Sequence, residues 1–328
     1  MLSKTISIIL VMAWLSGLKL SSAQQPAQCL AVITEISGEV MVKKADKAEF
    51  VRALWGTQLF QGDQVKTSAR SGVTLAFSNG NFISVEQNSS LTLSGKDSPV
   101  AGKPVNVRNI SSAMMVNLSS LTLKKNEKKD VGALADLRSG DAEQTIELSF
   151  PVNTIIKTNR PAFSWFPRKE YDNYIVNLYS SRGLVWSKKV SATSLKYPEI
   201  EKGLEFGESY FWNVEGEDLL DNKKSANNKF SILPLEKSRE VEQQEAVIRN
   251  TFKDAPESGS LHSVLGAYYI NQGLLQNAIE EFQIISGINT DAPLPHEILG
   301  SLYSDIGNKD KAIEELQKAL SLAKNNKE

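Results

Sequence analysis

Between residues 30 and 95, apolar and polar positions alternate between turn signals. Ala31-Val32-Ile33, Glu39-Val40-Met41-Val42, Val65-Lys66-Thr67, Val73-Thr74-Leu75-Ala76-Phe77, Phe82-Ile83-Ser84-Val85 and Leu91-Thr92-Leu93 each read as a short strand. Val73, Leu75 and Phe77 show the two-residue period of a half-buried strand. Gln61-Gly62-Asp63 marks a turn. Asn79-Gly80 predicts a tight hairpin with both residues at positive φ. A second strand-rich stretch runs over 145–233, through Pro161-Ala162-Phe163-Ser164-Trp165, Tyr174 to Tyr179, Leu184-Val185-Trp186, Leu204 to Val214 and Phe230 to Leu233. Short strands at this spacing predict a β-sandwich. Its Trp165, Trp186 and Trp212 are expected in the core, the alternative being an exposed aromatic platform for sugars. Between the two stretches, Ser112 to Leu123 reads as a strand or short helix, and Lys124 to Asp130 as a solvated charged linker.

From residue 238 onward the period changes to that of helices. The chain repeats itself at a shift of 34: Leu265-Gly266 as Leu299-Gly300, Tyr269 as Tyr303, Gly273 as Gly307, and Ala278-Ile279-Glu280-Glu281 as Ala312-Ile313-Glu314-Glu315. Gly266 and Ala278 are expected where two helices cross closely, and Gly273 and Gly307 at left-handed helix ends. Two repeats bury little. A helix over Glu240 to Phe252, with Val241, Val247, Ile248 and Phe252 as its apolar stripe, is expected to supply a further neighbour. The last helix, Lys311 to Ala323, is expected to close the stack with a polar outer face.

Composition narrows the class. The 328 residues are 41% hydrophobic and 23% charged, which suits two or three globular domains. A net charge of −1 gives no general pull toward nucleic acid or anionic lipid. Lys4, the apolar run Ile6 to Leu15 and the small residues Ser21-Ser22-Ala23 read as a secretory signal cleaved after Ala23. The run is short for a membrane span. The single cysteine, Cys29, excludes an internal disulfide. Gln28 ahead of it stands where lipidation needs a small residue, so Cys29 is expected as a small buried hydrophobe and not as a lipoprotein anchor.

Three resemblances follow from these residues. Gly38-Glu39-Val40, Leu59-Phe60-Gln61-Gly62-Asp63, Val65-Lys66-Thr67, Leu75 to Gly80 and Val85 to Leu93 resemble the FecR domain. That resemblance implies a periplasmic β-module; the namesake's cytoplasmic segment and membrane span have no counterpart here, so its anti-sigma function does not transfer. Leu204 to Trp212, with its Leu-x-x-Gly-x-x-Tyr-x-Trp arrangement, resembles a fibronectin type III or immunoglobulin-like module. The 34-residue repeat resembles the tetratricopeptide repeat, TPR. The expected organisation is a signal peptide over 1–23, a FecR-like all-β domain over 24–123, a charged linker over 124–144, a β-sandwich over 145–234 and an α-helical TPR solenoid over 238–328.

Candidate chemistry is sparse. His262 and His296 are the only histidines and lie 34 apart; a metal would need more ligands than Glu297 beside them, so both are expected to fill a helix-packing position. No Gly-rich phosphate loop and no Gly-x-Ser-x-Gly elbow occurs. No cofactor is expected. The expected function is a non-catalytic, exported scaffold of a bacterial cell envelope that binds a protein or peptide segment. The alternatives are an envelope glycan-binding protein or an envelope-polymer hydrolase. The TPR resemblance implies a groove lined by Ser263, Ala267, Ile270 and Asn271 and by Glu297, Ser301, Ser304 and Asp305. Neither first helix carries a lysine or arginine, which disfavours capture of a C-terminal carboxylate and favours a neutral or basic segment.

Overall fold

The computed structural model describes residues 28–94, 106–110, 146–168, 171–217 and 223–326. The signal segment 1–23, the apolar stretch 112–123 and the linker 124–144 lie outside the described residues. The architecture is a β-sheet region over 28–232 followed by five helices.

The N-terminal strands form two antiparallel sheets. One runs in the order β4 (Gln58–Leu59), β1 (Ala31–Ser37), β6 (Gly72–Phe77), β7 (Asn81–Val85), β9 (Asn106–Asn109). The other runs β3 (Val51–Arg52), β2 (Val40–Lys43), β5 (Gln64–Thr67), β8 (Ser90–Thr92). Ile33, Val42, Leu59, Val65, Leu75 and Leu91 fill the core between them. The Gln-Gly-Asp turn is held by the Asp63 carboxylate, which accepts from Ala45 N at 2.9 Å, Phe60 N at 3.0 Å and Lys44 Nζ at 2.7 Å.

Two expectations need correction here. β6 is buried on both faces: Val73, Leu75 and Phe77 point into the β core, while Ala76, like Phe82 of β7, packs into the helical cluster. The half-buried period reports one covered face, and the other face is covered by a partner domain that no local pattern reveals. The Asn79-Gly80 hairpin is also different. Only Gly80 has positive φ (93°), and its N–H donates to Phe77 O at 2.9 Å. The pairing of Ala76 with Phe82 leaves a longer connection, with glycine alone in the conformation that side chains avoid.

The middle region is a β-sandwich. One sheet is β10 (Leu148–Phe150), β12 (Ala162–Trp165), β15 (Ser194–Lys196). The other is β11 (Thr154–Ile156), β18 (Asn228–Ile232), β16 (Ser209–Glu217), β13 (Asn173–Ser180), β14 (Gly183–Val190), with β17 (Lys223–Lys224) beside β16. Tyr174, Val176, Leu178, Tyr210, Trp212 and Val214 point inward. Trp165, Trp186 and Trp212 are all buried, so they form no sugar platform. Phe163 packs 4.9 Å from the Trp212 ring, and Trp212 Nε1 donates to Pro151 O at 2.6 Å. Tyr210 Oη accepts from Glu205 N at 2.8 Å, tying the start of β16 to the turn before it.

The helices are α1 (Leu235–Thr251), α2 (Gly259–Gln272), α3 (Leu275–Ile288), α4 (Pro293–Asp305) and α5 (Lys309–Asn325). The repeat is visible in the packing. A Cβ on Gly266 would meet the Phe282 ring at 2.8 Å, and one on Gly300 would meet Leu316 at 2.6 Å. Gly273 and Gly307 end α2 and α4 with φ of 73° and 85°. Ser258 caps α2 by accepting from Leu261 N, and Asn308 caps α5 by accepting from Lys311 N. Val241 and Ile248 of α1 and Phe252 at its C-terminal cap are buried, whereas Val247 is 53% exposed and outside the expected stripe. The outer face of α5 is polar except for Leu320, which is 56% exposed.

Candidate protein-interaction face

The first helix of each repeat was expected to line one groove. α2 carries Gly259, Ser263 and Ala267 at successive four-residue steps, a seam of small side chains along one face. On α4, Ser301, Ser304 and Asp305 are exposed and Glu297 is half-buried. Ile270 is half-buried and Asn271 exposed at the end of α2. Ser263 and Ala267 are fully buried, which corrects their expected role as open lining.

The N-terminal domain covers Ser263 and the residues beside it. Trp55, in the turn between β3 and β4, donates its Nε1–H to Ser263 Oγ at 3.1 Å. Its ring stands edge-on to Phe282 with centroids 6.2 Å apart. Gly56 follows at φ 80°, and a Cβ there would strike Leu294 of α4. Thr34 Oγ1 and Ser260 Oγ share a hydrogen bond of 2.9 Å. Phe82 meets Phe252 edge to face at 5.2 Å. Arg52 and Asp291 pair at 2.6 Å on the rim. Seen from α2, the small residues admit a sheet face at close range: a Cβ on Gly259 would lie 3.0 Å from Thr34 O. Small residues at four-residue spacing suit both an open groove and a tight seam. Trp55-Gly56, which distinguishes the two here, falls outside every element predicted from the sequence.

The sandwich holds the helices from another side. Lys157 Nζ reaches both carboxylate oxygens of Glu245 at 2.5 and 2.6 Å, and lies 5.7 Å from the Tyr269 ring centre. Ser238 Oγ donates to Lys157 O at 2.6 Å, and Asn153 Nδ2 donates to Ile306 O at 3.1 Å. Burial, together with Glu245, raises the Tyr269 phenol far above its usual value. Burial also pushes Tyr268 up to about 12, with Glu240 and Glu245 adding to the rise.

The two histidines occupy equivalent sites. His262 Nδ1 bonds Glu281 Oε2 and His296 Nδ1 bonds Glu315 Oε2, each at 2.6 Å, joining the two helices of a repeat. Among the described residues, no three metal-ligating side chains cluster. Cys29 is buried, its thiol pushed up by desolvation, and it donates to Ala31 O at 3.3 Å. No described helix is long and apolar enough to cross a membrane.

The stacked pair α4–α5 agrees with a family comparison. The tetratricopeptide repeat model matches residues 296–326. This repeat points to protein–protein interaction. No curated protein matches the chain. Among solved structures, the fibronectin type III domain of human collagen alpha-1(XX) chain is 13% identical, covering 29% of this chain and 93% of that one, with a TM-score of 0.22. An alpha-L-rhamnosidase from Dictyoglumus thermophilum is 23% identical over 28% of this chain, with a TM-score of 0.23. A beta-1,2-glucanase from Parabacteroides distasonis is 9% identical over 90% of this chain, with a TM-score of 0.23. The chain spans 12% of the rhamnosidase and 60% of the glucanase.

Proposed function

We propose that the protein is an exported, non-catalytic scaffold of a bacterial cell envelope that binds a neutral or basic protein segment on its helical repeats. The observation that carries this reading is the exposed stretch of α4 within the matched repeat, where Ser301, Ser304 and Asp305 are open and Glu297 is half-buried. Helix pairs stacked this way present extended surfaces to partners. Asp305 and Glu297 make that surface acidic, and no lysine or arginine lies on α4. Export rests on Lys4, the Ile6 to Leu15 run and Ser21-Ser22-Ala23, and the envelope setting on the FecR-like elements from Gly38 to Leu93.

The test has two arms. Protein isolated from the envelope fraction should begin at Gln24; an N-terminus at Met1 removes the export reading. Partners captured by the full chain from envelope extract should bind Glu297→Lys/Asp305→Lys more weakly, most visibly at low salt where screening is least. Unchanged capture by the folded double variant removes this face from the function.

A further inference from the structure

We propose that the cleft between the N-terminal sheet and the turn joining α1 to α2 binds a short peptide with both ends free, its carboxylate on Arg108 and its ammonium on Glu35. The site is separate from the exposed stretch of α4 and takes a different ligand. The cleft is open, about 580 Å³ in volume, with Ala255 on its helical side. That volume lies within the range of small-ligand sites. Its charged lining is two guanidinia, Arg70 and Arg108, and two carboxylates, Glu35 and Glu86. Among the described residues none of the four is in an ion pair, although they share one cleft. A simple anion placed here would face Glu35, and a simple cation would face Arg108. A zwitterion satisfies both signs at once.

Strand alternation builds the floor. Val73 and Val85 point into the β core, so Glu35, Thr74 and Ser84, paired in one cross-strand row, share the opposite face. Further along that face, Ala76 and Phe82 are apolar because the helices cover them. The change to hydroxyl and carboxylate groups falls where the helical cover stops at Ala255. Thr74 Oγ1 and Ser84 Oγ lie 3.3 Å apart and keep lone pairs for the N–H groups of a chain laid across them. Both charged ends are held in place. Glu35 Oε2 accepts from Ser260 Oγ at 3.4 Å at the start of α2. The Arg108 guanidinium lies 5.7 Å from the Phe252 ring centre, a contact that leaves its N–H edge for a carboxylate. Arg70 has a φ of 58°, in the region that side chains avoid. Gln87 Oε1, accepting from Arg70 N at 2.8 Å, and Ser71 Oγ, donating to Ala69 O at 3.1 Å, hold it there beside the cleft. The sheet also sets the ligand's length. Glu35 on β1 and Arg108 on β9 stand three strand spacings apart, roughly 14 Å between backbones. Their side chains shorten that gap to about three or four residues of extended chain. A free amino acid is too short to touch both.

The probes are trialanine, N-acetyl-trialanine and trialanine amide, measured by calorimetry on the full wild-type chain. Trialanine should bind. Blocking either end should weaken binding by about tenfold or more, the worth of one charge-assisted hydrogen bond. Arg108→Gln should lose the discrimination between trialanine and its amide. Glu35→Gln should lose the discrimination between trialanine and its N-acetyl form. A wild-type chain that ignores trialanine, or binds all three probes alike, overturns the proposal, and neither outcome needs a variant to fold. A folded Arg108→Gln or Glu35→Gln chain that keeps the full wild-type discrimination overturns it as well. Neither substitution touches Glu297 or Asp305, so this site and the α4 surface can fail separately.

Discussion

Trp55 Nε1 donates to Ser263 Oγ at 3.1 Å across 208 positions of sequence. A loop of the first domain therefore completes the packing of the last. The same indole stands edge-on to Phe282, which also fills the space over Gly266. One side chain links the N-terminal domain to the helix crossing of the first repeat.

That link makes the two repeat glycines unequal. Alanine at either position adds helix propensity of up to about 1 kcal/mol. At Gly266 the new methyl meets the Phe282 ring, which is fully buried and backed by Trp55. Gly266→Ala should be destabilising by about 1–3 kcal/mol. At Gly300 the methyl meets Leu316 Cγ at 2.6 Å and Ala312 O at 3.3 Å, but Leu316 is only half-buried at the outer end of the stack and has room to shift. Gly300→Ala should cost less. Urea midpoints of the two variants measure the difference, and a larger loss at Gly300 contradicts the packing described.

Trp212 is the central side chain of the sandwich, in contact with Phe163 and bonded to Pro151 O. Trp212→Ala should cost about 3–5 kcal/mol. Denaturant unfolding of the full chain, followed by near-UV dichroism, reads this; a change below about 1 kcal/mol, the size of an exposed substitution, would mean the ring is not core.

Lys157 joins the sandwich to α1 through Glu245. Lys157→Met keeps the apolar stem and removes the charge-assisted bonds. A loss of about 1.5–3 kcal/mol is expected. Two separated unfolding transitions should replace one if this pair couples the domains. A single transition with an unshifted midpoint would show that the coupling lies elsewhere.

Tyr268 carries a pH signature. Its folded value of about 12 exceeds the ordinary phenol value of about 10, because burial and the neighbouring Glu240 and Glu245 disfavour the phenolate. The stabilising preference for the neutral ring is fully present below pH 10 and is lost as the pH rises through about 12. Absorbance titration of tyrosinate should show that Tyr268→Phe removes amplitude near pH 12 and none near pH 10. Loss of amplitude near pH 10 would place the phenol in water.

Much of this fold was legible from local pattern. The strand runs, the 34-residue repeat, the helix-ending Gly273 and Gly307 and the inward tryptophans each depend on neighbours close in sequence or on burial by their own domain. What escaped is contact between domains. Ala76 and Phe82 belong to the helical cluster, yet alternation along β6 and β7 reports only their own sheet. Ser263 and Ala267 are small for a reason that local sequence leaves double-valued, an open groove or a close seam. The Asn79-Gly80 turn failed differently: the dipeptide marks a turn, but strand register decides how many residues it contains.

Strand β18 ends at Ile232 and helix α1 begins at Leu235, so only Leu233 and Pro234 separate the sandwich from the repeats. Leu233 is buried, and Ser238, one turn into α1, is already bonded to the sandwich backbone. So short a joint has no slack to act as a hinge. The sandwich and α1 therefore turn as one lever arm, clamped by the Lys157–Glu245 pair as well as by the two-residue joint.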